Sequence, residues 1–130
     1  MHVADLDRSI AFYERYCGMT IVKEHGEDDK RVVWLASPGA ELSFVLVLLG
    51  GGPQRDQGAE DMTHYGFGVA SRADIDAIAE KAKADGLLHW EPRDYAPPTG
   101  YICGVKDPTG YIIEFSYGQP LRPHAKDEEA

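Results

Sequence analysis

The sequence predicts an α+β fold made of two successive βαβββ units, on three observations. Short apolar segments bounded by Gly, Pro and Asp clusters read as strands, and two stretches with helical spacing interrupt them. The second half then repeats the order of the first. Val3-Ala4, a capping acid, a helix and Gly18 are matched by Val69-Ala70, a capping serine, a helix and Gly86. The units cover about 1–50 and 62–118 of a single domain, and 119–130 reads as a loose polar tail.

In the first unit, Ile10, Phe12, Tyr13, Tyr16 and Cys17 recur at helical spacing over Asp7–Cys17. Asp5 or Asp7 caps that helix and Gly18 ends it. Thr20–Lys23 is a short strand, Arg31–Ala36 a second and Leu42–Leu49 a buried third, with Ser37-Pro38-Gly39 as a turn. Gly50–Glu60 is a polar, glycine-rich loop. The second unit opens with the strand Thr63–Ala70, and Ser71 caps a helix running to about Ala84. Its apolar stripe is Ile75, Ile78, Ala79 and Ala82. Leu87–Trp90 is a strand and Glu91–Thr99, with three prolines, a loop. Tyr101–Lys106 and Tyr111–Tyr117 are the closing strands, joined by the turn Asp107–Gly110.

Composition narrows the function. The chain has 130 residues and a net charge of −9, with no concentrated Lys/Arg surface, which disfavours nucleic acid as a partner. Its longest apolar run, Phe44–Leu49, is strand-sized, so no membrane span is expected. Cys17 and Cys103 fall in apolar stretches and read as free thiols, and the cytoplasm is the expected compartment.

Alternation along the strands points to a site. In Thr63–Ala70, His64, Gly66, Gly68 and Ala70 share one face, and the larger Tyr65, Phe67 and Val69 share the other, packed beneath helices. Glycines beside one histidine leave room for a ligand. In Tyr111–Tyr117, Glu114 sits centrally in a hydrophobic strand, where an ionised carboxylate is costly unless paired or bound to a metal. His64 and Glu114 are both ligands for divalent ions, and a third ligand would leave positions open for substrate. His2 shares strand parity with Ala4 and is a candidate. Glu41 is a weaker one, His25 and His89 follow short strands in polar surroundings, and His124 is in the tail.

Three segments then match a known pattern. Val3-Ala4-Asp5-Leu6-Asp7-Arg8-Ser9-Ile10-Ala11-Phe12-Tyr13 with Cys17-Gly18-Met19, Met62–Val69, and Asp107-Pro108-Thr109-Gly110-Tyr111-Ile112-Ile113-Glu114-Phe115 occur in order over nearly the whole chain. Together they resemble the vicinal oxygen chelate superfamily, which contains glyoxalase I, the bleomycin and fosfomycin resistance proteins and the extradiol dioxygenases. The resemblance implies that the paired βαβββ units form a curved, barrel-like sheet around a cavity, with a metal site enclosed by the two halves.

It also implies His64 and Glu114 as ligands, with Glu114 the catalytic residue. The first-strand ligand would lie five residues before Val3, at position −2, ahead of Met1; His2 is a substitute. Glyoxalase I has a further glutamate late in the first half's closing strand, and Ser43–Leu48 contains none. The expected activity is that of a metal-dependent enzyme, lyase/isomerase or dioxygenase, acting on a small substrate with neighbouring oxygens. Its cofactor would be a divalent ion (Fe, Mn, Ni or Zn), with Trp90, Tyr95 and Tyr101 bordering the substrate and a homodimer as the assembly. The rival expectation is a noncatalytic small-molecule binder like the bleomycin-sequestering proteins.

Overall fold

The structure, a computed structural model, describes residues 1–121. Of the expected tail 119–130, the part from 122 on, with His124, lies outside the described residues. Nine main elements follow one another: α1 (Leu6–Cys17), β1 (Thr20–His25), β2 (Val32–Ala36), β3 (Leu46–Leu49), β4 (Tyr65–Gly68), α2 (Arg72–Asp85), β5 (Leu88–Tyr95), β6 (Gly100–Lys106) and β7 (Ile112–Tyr117).

The helices start and stop where side-chain chemistry dictates. The Asp5 carboxylate accepts the Arg8 N–H at 3.2 Å, and Gly18 ends α1 in the left-handed region at φ 64°. Ser71 accepts the Asp74 N–H at 3.1 Å, and Gly86 ends α2 at φ 73°.

The strands form two sheets, ordered β1-β2-β3 and β4-β7-β6-β5. This corrects the expected barrel-like sheet. Both sheets are open, each running from one edge strand to another, because no ladder joins β1 to β3 or β4 to β5. The first unit, in the described residues, opens with a short segment rather than a regular strand. Its segment before α1 makes one parallel bridge, His2 to Leu49, so the observed order is αβββ followed by βαβββ.

The chain divides into two compact units. One comprises Met1–Thr63 with Lys106–Tyr111, the other His64–Val105 with the segment from Ile112. The first is built on buried Val3, Tyr13, Val33, Leu35 and Leu48. A polar clamp holds its 107–111 turn: one oxygen of the Asp107 carboxylate accepts the Tyr13 hydroxyl at 2.7 Å, and the other accepts the N–H groups of Thr109, Gly110 and Tyr111. Burial still holds the Asp107 carboxyl above its ordinary value. In the second unit α2 packs on β5 and β7, burying Ile75, Ala79 and Ala82; Cys103, Val105, Ile113 and Phe115 are also buried. Each of the buried Val, Leu, Ile and Phe side chains removed from water contributes roughly 1.5–3 kcal/mol.

Two strand boundaries differ from expectation for physical reasons. Ala40 accepts the N–H groups of Ser43 and Phe44, so a turn occupies the region expected to start the third strand. The expected 91–99 loop is instead largely strand, because Pro92 is accommodated where the β5–β6 register shifts between Trp90 and Arg93.

Candidate functional site

Strands β4 and β7 pair in parallel, with Gly66 opposite Glu114 and Gly68 opposite Ser116. Opposed residues share a face, so the histidine that precedes β4 by one residue and the glutamate at the centre of β7 converge. His64 Nε2 lies 3.6 Å from Glu114 Oε1, with the two side chains 32% and 15% exposed. The other carboxylate oxygen, Oε2, accepts the Gln119 side-chain N–H at 3.3 Å. Gly118 makes this possible: at φ 87° it turns the chain directly after β7.

The next wall of the site is aromatic. Trp90 stands edge-on to His64, with ring centroids 5.3 Å apart. Its register partner is Gly104, and a β-carbon on Gly104 would come within 2.5 Å of the indole. Trp90 therefore lies down on the sheet because position 104 has no side chain.

The remaining sequence-named residues are distributed as follows. Tyr95 pairs with Gly100 at the end of β5 and is 46% exposed. Tyr101 is on the helix side of the sheet: its hydroxyl donates to Asp76 of α2, and the Arg72 guanidinium lies 3.9 Å from its ring centroid. That hydrogen bond pushes the phenol above its ordinary value. Tyr101 is thus separated from the His64–Glu114 face by the sheet. Cys103 shares the helix side, its thiol directed to the Ile75 carbonyl, and burial pushes it up to about 12, with the Asp76 and Glu114 charges adding. His2 is exposed, and its backbone carbonyl accepts the Tyr111 hydroxyl at 2.9 Å. Glu41 lies in a turn, where its carboxylate accepts the Gly39 N–H. His25 ends β1, and His89 precedes Trp90 in β5.

The internal repeat can be aligned through hydrogen bonds. The Val3 N–H donates to the Leu49 carbonyl at 2.8 Å, as the Val69 N–H does to the Ser116 carbonyl at 2.8 Å. Leu49 therefore corresponds to Ser116, and two residues earlier Val47 corresponds to Glu114. His2 corresponds to Gly68, four positions beyond the equivalent of His64. The first unit has an apolar side chain where the second has its carboxylate.

The donor set suits a divalent ion in part. Metal bonds of ~2.0–2.2 Å from a histidine nitrogen and a carboxylate oxygen can meet across 3.6 Å. Among the described residues no group of three or more His, Cys, Asp or Glu is placed to hold a metal. An ion placed between His64 and Glu114 would therefore need further donors from elsewhere. Sequence reasoning missed Gln119 and Gly104. A glycine directly after the β7 strand was the available signal for the first, and a small residue alternating with Ile102 for the second.

Comparison with known proteins agrees with the architecture. Residues 1–115 match the model of the Glyoxalase/Bleomycin resistance protein/Dioxygenase superfamily. An uncharacterized Pseudomonas aeruginosa protein is 47% identical, covering 95% of this chain and 88% of its own. A probable lactoylglutathione lyase of Vibrio cholerae is 31% identical, covering 88% and 83%. The fold is shared with a fosfomycin resistance protein of Listeria monocytogenes, crystallised with manganese(II) and 1S,2S-dihydroxypropylphosphonic acid. That likeness has a TM-score of 0.72 at 16% identity, covering 93% and 86%. With three motifs in order, a repeated unit and a family match over residues 1–115, the chain belongs to the glyoxalase/bleomycin resistance protein/dioxygenase superfamily.

Proposed function

We propose that the protein is a metal-dependent enzyme of the lyase/isomerase type, acting on a small substrate with neighbouring oxygens. The observation that carries this reading is the His64–Glu114 pair, 3.6 Å apart on a glycine-lined sheet face. The Vibrio relative's name and the manganese(II) held by the Listeria structure support it.

His64 and Glu114 would hold the ion (Fe, Mn, Ni or Zn), with further donors required. When bound, the ion supplies Lewis-acid polarisation of two neighbouring substrate oxygens. Glu114 is the group able to carry a proton: its carboxylate would take one from a hydroxyl-bearing carbon beside a substrate carbonyl and return it to the carbonyl carbon, while the hydroxyl proton passes to the former carbonyl oxygen. Gln119, by holding Oε2, leaves Oε1 as the oxygen directed at His64. Trp90 packs its indole edge-on against His64, which holds the imidazole on this face of the sheet.

In this reading the chain works as a homodimer. Strand β1 is an exposed edge, with Ile21 44% and Val22 37% exposed, and an edge of that kind favours pairing. Cytoplasmic residence fits its two unbridged cysteines. Among the described residues no helix is long and apolar enough to cross a membrane.

A noncatalytic small-molecule binder is the second reading, favoured by the exposed aromatic Tyr95 and by Val47 in the place of a second carboxylate. Elemental analysis and titration with manganese, iron, nickel and zinc decide between them. Near-stoichiometric binding, lost in both His64→Ala and Glu114→Ala, is the result expected of the enzyme. No metal in the parent chain and no effect of either substitution would leave the binder.

A further inference from the structure

We infer that Arg93 is the residue that anchors an anionic group of the ligand, so that the molecule recognised on the His64–Glu114 face carries a carboxylate, sulfonate, phosphonate or phosphate. The inference adds a ligand class to the function proposed above, but it stands on a different observation, the bulge in β5.

Strict alternation from Trp90 would put residues 92 and 94 on the Trp90 face and Arg93 on the other. The observed register does the reverse. Trp90 pairs with Gly104, Arg93 with Ile102 and Tyr95 with Gly100, with an irregularity between Trp90 and Arg93. Residues 100, 102 and 104 of β6 share one face. The intervening Tyr101 and Cys103 face α2, through Asp76 and the Ile75 carbonyl. The extra residue of the bulge therefore re-aims Arg93 and Tyr95 onto the face that carries Trp90, which in turn meets His64. Asp94 is sent the opposite way. It pairs with Tyr101 in register and takes both Arg72 nitrogens at 2.7 and 2.8 Å. Pro92 has no N–H to lose at the bulge, which lets the sequence Trp90-Glu91-Pro92-Arg93 adopt it.

Arg93 also differs from Arg31 and Arg72 in what it touches. Arg31 is held by Asp7 at 2.6 Å and Arg72 by Asp94. Among the described residues no carboxylate pairs with Arg93, whose guanidinium lies 5.6 Å from the centroid of the Tyr95 ring. In a chain of net charge −9, an exposed cation without an acid partner on the site face is a place for a ligand's charge. Two strand spacings separate β5 from β7, on the order of 10 Å, so the anionic group would lie well away from the reacting oxygens near Glu114.

The test uses metal-free protein and two probes of one shape, benzenesulfonate and neutral benzenesulfonamide, followed by the indole N–H resonance of Trp90. The wild-type chain is expected to bind the sulfonate about tenfold or more tightly than the sulfonamide. Arg93→Gln should abolish the preference with an unchanged thermal midpoint, and Arg93→Lys should restore part of it. Equal binding of the two probes by the wild type, or a preference that survives in Arg93→Gln, would overturn the inference. Because no ion is present, a chain that binds no metal yet prefers the sulfonate would retain this inference and lose the metal-dependent reading.

Discussion

Gly66 stands directly opposite Glu114 in the parallel β4–β7 pair, and a β-carbon at position 66 would come within 2.6 Å of the Glu114 carbonyl oxygen and 3.1 Å of its β-carbon. The glycine is what lets the strand bearing the carboxylate sit this close to the strand that follows His64. Gly66→Ala must therefore push β4 and β7 apart. The expected cost is ~1–3 kcal/mol in chemical denaturation, with weaker metal binding. A variant as stable as the parent would show that the contact relaxes freely.

Gln119 acts on the same carboxylate from the other side. Gln119→Leu removes the N–H from Oε2 and should weaken zinc binding about tenfold, while the partly buried site limits the loss of stability to about 1 kcal/mol. Calorimetric titration with zinc checks it. Unchanged affinity would mean that the amide has no positioning role.

Tyr13→Phe takes the hydroxyl from the Asp107 carboxylate, which is buried at 3% exposure. The unfolding free energy should fall by ~1–3 kcal/mol. A denaturant midpoint equal to that of the parent would show that the three backbone N–H groups suffice.

Cys103 carries a pH dependence. Its thiol is pushed from an ordinary 9.0 to about 12 by burial, so the fold favours the neutral form. That contribution is fully present below pH 9 and is lost as pH rises from 9 towards 12, where the unfolded chain ionises first. At pH 8 the folded chain should leave Cys103 unmodified by iodoacetamide, as mass spectrometry of the peptides would show. Rapid labelling of Cys103 in folded protein would contradict its burial.

Much of the site was legible in period two alone. His64, Gly66 and Glu114 need only alternation in two regular strands, and both strands are regular where it matters. Strand β5 is not. Its bulge shifts the phase after Trp90, so the exposed face of Arg93 could not be read by counting, and the prolines of 91–99 suggested a loop. The face of Tyr101 was not legible for another reason. Its neighbours Ile102 and Cys103 are both apolar and both buried, so hydrophobicity does not tell which face of β6 meets α2. The helices were legible because Asp5, Ser71, Gly18 and Gly86 mark their ends chemically. The open sheets were not, since closure depends on pairing between distant edges rather than on any local pattern.

Anomalous diffraction at the zinc edge from crystals grown with zinc locates any ion held between His64 and Glu114. The expected peak lies ~2.0–2.2 Å from both His64 Nε2 and a Glu114 carboxylate oxygen. A peak elsewhere, or none with the two side chains still 3.6 Å apart, would contradict an ion shared by the pair.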